Sequence, residues 1–166
     1  MSPCWTKKYQ LCLLYSDGKL EFTEYKFDYM TSATNFNQTE NSGYVAVVDG
    51  PAINLTPLGK FVMPPPMFDS QVSLPYVPKA VSLWGHYGVA YIDNTQSLYV
   101  FNCESAAEPA RVFSLSQILA EHDKDATVSQ VMNLSADQVV VVVSLASGDT
   151  LLMIKLQGEG AVEVVA

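Results

Sequence analysis

The sequence predicts an all-β fold of antiparallel strands with one short inserted helix. Runs rich in Val, Ile, Leu and Tyr recur along the chain, and acidic or glycine-containing turns interrupt them. Apolar and polar residues alternate within several of these runs, which is typical of strands with one buried face. Since one segment alone has apolar residues at helical spacing, we expect much strand and little helix.

Four strand–turn–strand units predict β-hairpins. Turns with Asp, Asn or Gly favour hairpins because these residues tolerate the positive φ angles that tight connections between strands need. In the first unit, Leu20, Phe22 and Tyr25 alternate with charged residues, which predicts a strand with one apolar face. The predicted turns are Asp17-Gly18, Asp49-Gly50, Asp93-Asn94 and Ser147–Asp149.

The spacing of the hairpins favours a β-propeller. The turns fall tens of residues apart, on the scale of the about 40–45 residues that one blade needs. The intervals are irregular and no Trp-Asp dipeptide is present, so we expect degenerate, WD40-like blades that form part of a propeller. A β-sandwich or an antiparallel barrel is the alternative that short strands leave open.

Two segments break the strand pattern. Tyr29–Gly43 is rich in Asn, Ser and Thr, which predicts an exposed connection between strands. Ser114–Asp125 is the helical candidate, because Leu115, Ile118 and Leu119 share one helical face. We predict that Ser114 caps this helix and that Gln117 completes a capping box.

The segment Met63–Met67, "MPPPM", has two interpretations. Three prolines favour a polyproline II helix, which SH3 and WW domains bind, but Lys60 is the one basic anchor nearby. Prolines also lack the N–H group that a sheet needs, so the run can carry the chain stiffly out of one sheet toward the next. We favour the connector.

The composition argues against nucleic-acid and membrane binding. The net charge is −8, and Lys7 and Lys8 are the one adjacent pair of bases, whereas phosphate binding needs clustered cations. Membrane binding is not expected, since no apolar run approaches the about 20 residues of a membrane span. The longest is Val139–Val143, the length of one strand.

No residue is predicted to be catalytic, to bind a cofactor or to bind a metal. His86 lies between two glycines and beside aromatic residues, which favours a packed turn histidine, and His122 is expected to be solvated. Cys103 has no histidine nearby that would activate it. With Cys4 and Cys12 it forms an odd, widely spaced set, which favours thiols in a reducing compartment over metal ligands. The sequons at Asn37, Asn54 and Asn133 are expected to arise by chance.

Several motifs in a fixed order resemble one family. The strand and turn at Val45–Gly50 ("VAVVDG"), the "VMPPPM" of Val62–Met67, the strand at Lys79–Ser82 and the hairpin at Val89–Val100 resemble the N-terminal WD40-like region of the largest Elongator subunit, the IKAP family. The proline run after the "VDG" hairpin is the most specific of these motifs. The resemblance covers Tyr9–Asn102.

The resemblance implies a domain division and a set of partners. Residues 1–62 would be the last blades of a first propeller, 63–78 a proline-rich connector, and 79–166 the first blades of a second propeller. The chain would be a fragment of a non-catalytic scaffold that supports wobble-uridine modification of tRNA in the cytoplasm and nucleus. Its partners would be the catalytic radical SAM and acetyltransferase subunit and the second, WD40 subunit, with a homodimer formed through regions outside this sequence and with tRNA contacted only indirectly.

Two other hypotheses compete with the Elongator scaffold. An independent propeller of a coat or nuclear-pore scaffold would bind other proteins but no Elongator subunit. A small enzyme on a β scaffold would need a cluster of acids or histidines, and the sequence has no such pattern.

Overall fold

The computed structural model of the chain describes residues 2–7, 10–24, 30–33, 43–60, 67–123, 125–158 and 160–165. These residues form fifteen strands, one α-helix and one short 3-10 helix at Asp93–Thr95. The strands are β1 (Ser2–Lys7), β2 (Gln10–Leu14), β3 (Leu20–Glu24), β4 (Thr31–Ala33), β5 (Tyr44–Asp49), β6 (Ala52–Pro57), β7 (Ser70–Ser73), β8 (Ala80–Trp84), β9 (Tyr87–Ile92), β10 (Ser97–Asn102), β11 (Arg111–Ser114), β12 (Thr127–Asn133), β13 (Gln138–Leu145), β14 (Gly148–Gln157) and β15 (Ala161–Val164). The helix α1 spans Ser116–His122.

The strands form four antiparallel sheets in which each strand pairs with its neighbour in the chain. The first sheet contains β1–β3, the second β4–β7, the third β8–β11 and the fourth β12–β15. The order of the strands in each sheet equals their order in the sequence. A four-stranded meander of this kind is the repeating unit of a β-propeller, where it forms one blade.

The third sheet lies between the second and the fourth. Its strand β9 is apolar at every position from Gly88 to Ile92, and all five residues are buried. Successive side chains of a strand point to opposite faces, so Val89 and Tyr91 join one core while Ala90 and Ile92 join the other. The first core also holds Val139, Val141, Val143, Leu152 and Ile154 of the fourth sheet, and the second holds Ala46, Ile53, Leu55 and Val72 of the second sheet.

Corresponding strands of consecutive sheets lie next to each other. The first strands β4, β8 and β12 are neighbours in space, and so are the last strands β11 and β15. Sheets that follow the chain order and face each other strand for strand are arranged as consecutive propeller blades. The predicted all-β, antiparallel propeller architecture is therefore confirmed. Within the described residues, no helix has the length and apolar character needed to cross a membrane.

All four predicted hairpins are present. The turns join β2 to β3, β5 to β6, β9 to β10 and β13 to β14. Gly50 has a φ of 58° between β5 and β6, a backbone conformation that strongly favours glycine. Between β9 and β10 the residue with a positive φ is Gln96, at 47°, which follows the 3-10 turn at Asp93–Thr95.

The predicted helix is present, but its predicted cap is wrong. Helix α1 connects the third and fourth sheets, and its face of Leu115 and Leu119 is buried as expected. Leu115 occupies the N-cap position and makes no side-chain cap hydrogen bond. Ser114 is instead the last residue of β11, because pairing with Ser97 holds its backbone extended. Its hydroxyl lies 2.9 Å from that of Ser116 rather than closing a capping box with Gln117.

Two segments predicted to lack strands contain short ones. Thr31–Ala33, within the predicted loop, forms β4 and pairs with β5; most of the remaining loop lies outside the described residues. Ser70–Ser73, within the predicted connector, forms β7 and pairs with β6, with Val72 and Leu74 buried in the core. The proline run itself lies outside the described residues. The second sheet thus includes residues on both sides of the predicted boundary at residue 62.

The apolar face predicted for β3 is exposed. Leu20 and Phe22 are 56% and 59% exposed, and Leu14 opposite Leu20 is also exposed. The alternation correctly identifies a strand, but the described residues leave the apolar side of this three-stranded sheet largely uncovered. Tyr25 lies outside the described residues.

Candidate functional site

His86 occupies the two-residue turn between β8 and β9, where the third sheet meets the second. Its ring packs edge-on against Tyr44 of β5, with ring centroids 5.8 Å apart. Its Nδ1 lies 3.4 Å from a carboxylate oxygen of the exposed Glu104. The backbone carbonyl of His86 accepts a 2.7 Å hydrogen bond from the N–H of Cys103. The prediction of a turn histidine packed on aromatic side chains is confirmed, with Tyr44 as a partner that sequence proximity does not reveal.

Cys103 lies beneath this turn and is poorly suited to nucleophilic chemistry. Its side chain is buried in the core between the second and third sheets. Burial, together with the neighbouring Glu104 carboxylate, raises the pKa of the Cys103 thiol to about 12. A buried thiol with a raised pKa forms little of the nucleophilic thiolate and is out of reach of solvent, so this thiol is a packing group.

The remaining titratable residues that the structure describes do not gather into a reactive centre. His122 is exposed at the last turn of α1. Lys79 and Asp93 form an exposed ion pair at 3.3 Å. Among the described residues, no group of three or more His, Cys, Asp or Glu side chains could hold a metal ion.

Two open grooves run along the outer strands. The larger, of about 690 Å³, lies between α1 and β15 and is lined by Gln117, Ile118, Glu121 and Val162 among others. The smaller, of about 320 Å³, lies beside β10 and β11 near Glu108 and Arg111. Ligand sites combine an apolar cavity with a few converging polar groups. Each of these grooves is half open to solvent, and the polar contact that the described residues show in their lining is the 2.9 Å one between the Ser114 and Ser116 hydroxyls.

An exposed apolar surface lies on the fourth sheet, on the side away from the third. Met132 lies opposite Val140, Val140 opposite Met153, and Val142 opposite Leu151, so these five side chains form one apolar patch across three strands. Met132 is 49% exposed and Leu151 66% exposed, while the other three are half-buried. We call this patch the outer face of the fourth sheet. Contiguous exposed apolar surface of this kind is typical of an interface.

Two of the three sequons are structural positions. Asn54 is buried in β6 and accepts a 2.8 Å hydrogen bond from the amide of Gln71. Asn133 is buried in β12, where its backbone N–H donates to the Ser82 hydroxyl at 3.0 Å and its amide donates to the Tyr87 carbonyl. Asn133 therefore ties the fourth sheet to the third. Asn37 lies outside the described residues.

The comparison with known families agrees with this architecture. The family model described as the ELP1 N-terminal second beta-propeller matches residues 47–165. The chain belongs to this ELP1 family. The match covers nearly all of the second, third and fourth sheets, so the WD40-like propeller blades are those of the Elongator scaffold subunit. A comparison with curated proteins finds no match.

The matched range bears on how the chain is divided. It begins inside β5 and runs without interruption past residues 62 and 78, the predicted limits of the connector. The division into 1–62, 63–78 and 79–166 stays a prediction, but β4–β7 already form one sheet across its first boundary. The outer face of the fourth sheet was not predicted. The run Val139–Val143 could have indicated it, because five valines in a row make both faces of the strand apolar. A strand with one face in solvent would instead alternate apolar and polar residues.

Proposed function

We propose that this chain is a non-catalytic part of the Elongator scaffold, which supports modification of wobble uridines in tRNA. The observation that carries the proposal is the stack of three four-stranded meanders, matched to the ELP1 second propeller over residues 47–165. Stacked blades give a rigid frame with broad side surfaces, and the described part of this frame holds no cluster of metal-ligating groups. These features suit a protein that positions other subunits.

We further propose that β4–β15 are consecutive blades of one propeller, the second of the two. In this division the proline-rich segment connects β6 to β7 within a blade, rather than connecting two propellers. The support is the pairing of β7 with β6 and the packing of β8 against β4 and β5. The first sheet would then belong to the preceding propeller.

The outer face of the fourth sheet would be covered by the next blade. The third sheet supports this assignment, because it is apolar on both faces and is covered on both. The five side chains of the outer face are all apolar, as on the covered faces of the third sheet, whereas a face in contact with solvent would carry polar side chains. A sheet with apolar side chains on both faces is stable only when other elements pack against both of them.

The partners we propose are the catalytic radical SAM and acetyltransferase subunit and the WD40 second subunit. Homodimerisation would use regions outside this sequence. Contact with tRNA would be indirect, since a net charge of −8 with scattered bases does not favour phosphate binding. The proposed location is the cytoplasm, and also the nucleus.

The test uses the full-length protein in cells that carry tagged Elongator subunits. Ala46→Asp places a charge in the core between the second and third sheets, where Ala46 is buried. Val112→Asp is the matched control, because Val112 is exposed on β11. We expect Ala46→Asp to lose co-purification of the catalytic subunit and wobble-uridine modification together, and Val112→Asp to keep both.

The outcomes separate a scaffold from the alternatives. Loss of modification in Ala46→Asp while every subunit remains bound would point to a direct chemical or tRNA-binding role and contradict the scaffold. Capture of coat or nuclear-pore proteins by the unsubstituted chain, with no Elongator subunit, would support the independent interaction domain instead.

A further inference from the structure

Two of the three cysteines face each other across neighbouring strands of the first sheet. Cys4 of β1 and Cys12 of β2 are direct partners in the antiparallel register. Both are thiols in the structure. We infer that Cys4 and Cys12 form a reversible cross-strand dithiol–disulfide pair, a redox-sensitive modification site whose co-reactant is a low-molecular-weight disulfide such as glutathione disulfide.

The register places the two thiols within bonding reach. Directly opposite residues of antiparallel strands have Cα atoms about 4.5 to 5.5 Å apart and project their side chains from the same face of the sheet. Disulfides join residues whose Cα atoms are about 4.4 to 6.8 Å apart. The strands therefore need no rearrangement before the two sulfur atoms can meet.

The pair is also accessible to a small thiol or disulfide. Cys4 is exposed and Cys12 is half-buried. On the same face, Phe22 lies opposite Cys12 and is largely exposed, and Leu14 and Leu20 follow in the next row. Cys4 is therefore the sulfur that meets the oxidant first, and Cys12 is the resolving thiol beside it.

The exchange balances in two steps. The Cys4 thiolate attacks one sulfur of glutathione disulfide, whose S–S bond breaks and releases one glutathione thiolate. The Cys12 thiolate then attacks the Cys4 sulfur of this mixed disulfide, forms the Cys4–Cys12 bond and releases the second glutathione. The protein loses two electrons and two protons, and glutathione disulfide gains them as two thiols.

The bond would fasten β1 to β2. Among the described residues, β1 pairs with β2, with a register irregularity between Trp5 and Lys7. A disulfide just before this irregularity would hold β1 on β2 where the regular pairing ends. Accessible disulfides that join neighbouring strands are the labile, regulatory kind rather than permanent structural links.

The experiment uses the full-length protein, purified reduced and then equilibrated with glutathione disulfide. The reaction is quenched with acid, remaining thiols are blocked with N-ethylmaleimide, and the protein is digested with trypsin. Cleavage after Lys7 and Lys8 puts Cys4 and Cys12 in different peptides, the second being Tyr9–Lys19. We expect these peptides to appear as one linked pair, lighter by two hydrogen atoms than their sum, and to separate on treatment with dithiothreitol.

Cys103 provides an internal control. This thiol is buried in the core between the second and third sheets, so it should stay unmodified under the same conditions. Modification of Cys103 to the same extent as Cys4 would show that the protein had unfolded. The measurement is then repeated at a lower glutathione disulfide concentration that leaves Cys103 untouched.

A matched variant tests whether the register matters. Cys12→Ser combined with Leu13→Cys keeps the number of thiols but moves one of them to the opposite face of β2, because a shift of one residue reverses the side-chain direction. We expect this variant to lose the linked pair and to accumulate a glutathione mixed disulfide at Cys4. The inference would be overturned if the variant formed the disulfide-linked peptide pair as readily as the natural sequence. It would also be overturned if the natural sequence accumulated glutathione mixed disulfides and formed no linked pair.

Discussion

The third and fourth sheets have the same strand order but different surroundings. In β9 of the third sheet, neighbouring residues Val89 and Ala90 point to opposite faces and both are fully buried. In β13 of the fourth sheet, Val141 is fully buried whereas Val142 is half-exposed on the outer face. Both strands are apolar on both faces, yet among the described residues the third sheet alone of these two is covered on both. The composition of the fourth sheet thus matches a sheet that is packed on both sides.

Paired charge substitutions provide the strongest test of this difference. Val89→Asp and Ala90→Asp each place a carboxylate in a core, so each should lower the free energy of unfolding by about 4 kcal/mol or more. In the fourth sheet, Val141→Asp should do the same, whereas Val142→Asp should cost less than about 1 kcal/mol in this chain. Thermal and denaturant unfolding of the four variants measures the contrast.

The same pair also tests whether the outer face is covered in the complete protein. There, Val142→Asp should become about as costly as Val141→Asp, because a neighbouring blade would bury the carboxylate. Val112→Asp, on an exposed position of β11, should stay near neutral in both contexts. An equally mild effect of Val142→Asp in the full-length protein would mean that the outer face remains open to solvent.

Alkaline pH should weaken the core between the second and third sheets. The pKa of Cys103 is raised from its ordinary 9.0 to about 12 in the folded chain. Above pH 9.0 the unfolded chain releases this proton while the folded chain keeps it, so stability falls as pH rises from 9.0 to about 12. The loss reaches about 1.4 kcal/mol per pH unit within that window.

Cys103→Ala isolates this contribution. The variant should show a shallower decline in the free energy of unfolding over the same pH window, because alanine does not titrate. Tyr91 also has a raised pKa, caused first by burial and then by Asp93, and it contributes a decline that both proteins share. Parallel curves for the two proteins would show that the thiol is not protected in the folded state.

Gly88 marks a close approach within the third sheet. A Cβ atom at this position would overlap the ring of Phe101, its cross-strand partner in β10. Phe101 is itself buried in the core shared with the second sheet. Gly88→Ala should therefore cost about 1–3 kcal/mol, since the ring must move within a packed core. Phe101→Leu in the same variant should recover part of the loss; denaturant unfolding that shows no recovery would locate the strain elsewhere.

Tyr91 should give the smallest change, in the opposite direction. Its hydroxyl is buried and forms no hydrogen bond of normal geometry among the described residues, although the Asp93 carboxylate is close enough to help raise its pKa. Tyr91→Phe removes an unsatisfied polar group and keeps the ring, so we expect a gain of up to about 1 kcal/mol. Tyr99→Phe, at a half-buried position on β10, is the control and should be near neutral. A loss of stability in Tyr91→Phe would show that the hydroxyl is satisfied in solution.

Local signals in the sequence predicted the hairpins and the helix. The residues Asp17-Gly18, Asp49-Gly50 and Asp93-Asn94 identify turns because their backbone requirements are local. The same reasoning placed the cap of α1 one residue early. Pairing of Ser114 with Ser97 keeps Ser114 in β11, and no local pattern reports that pairing.

The faces of the sheets could not be predicted in the same way. Alternation in Leu20–Glu24 shows which side of β3 is apolar, but burial depends on whether another sheet lies against that side. The contact of His86 with Tyr44 is similar, since it joins residues of two sheets that are far apart in the sequence. The family resemblance supplied the blade architecture that strand patterns alone left open between a propeller, a sandwich and a barrel.

The sequential strand order also governs how the molecule can form during synthesis. Each strand finds its partner in the next segment to leave the ribosome, so the short loops between partners carry a small closure entropy. The strands of one sheet can therefore pair before the following sheet has been synthesised. The second face of that sheet remains exposed to solvent until the following sheet packs against it. The third sheet acquires its last cover only after β14 has emerged. Until then, the apolar side chains of β9 that face the fourth sheet are the surface that a chaperone would need to protect.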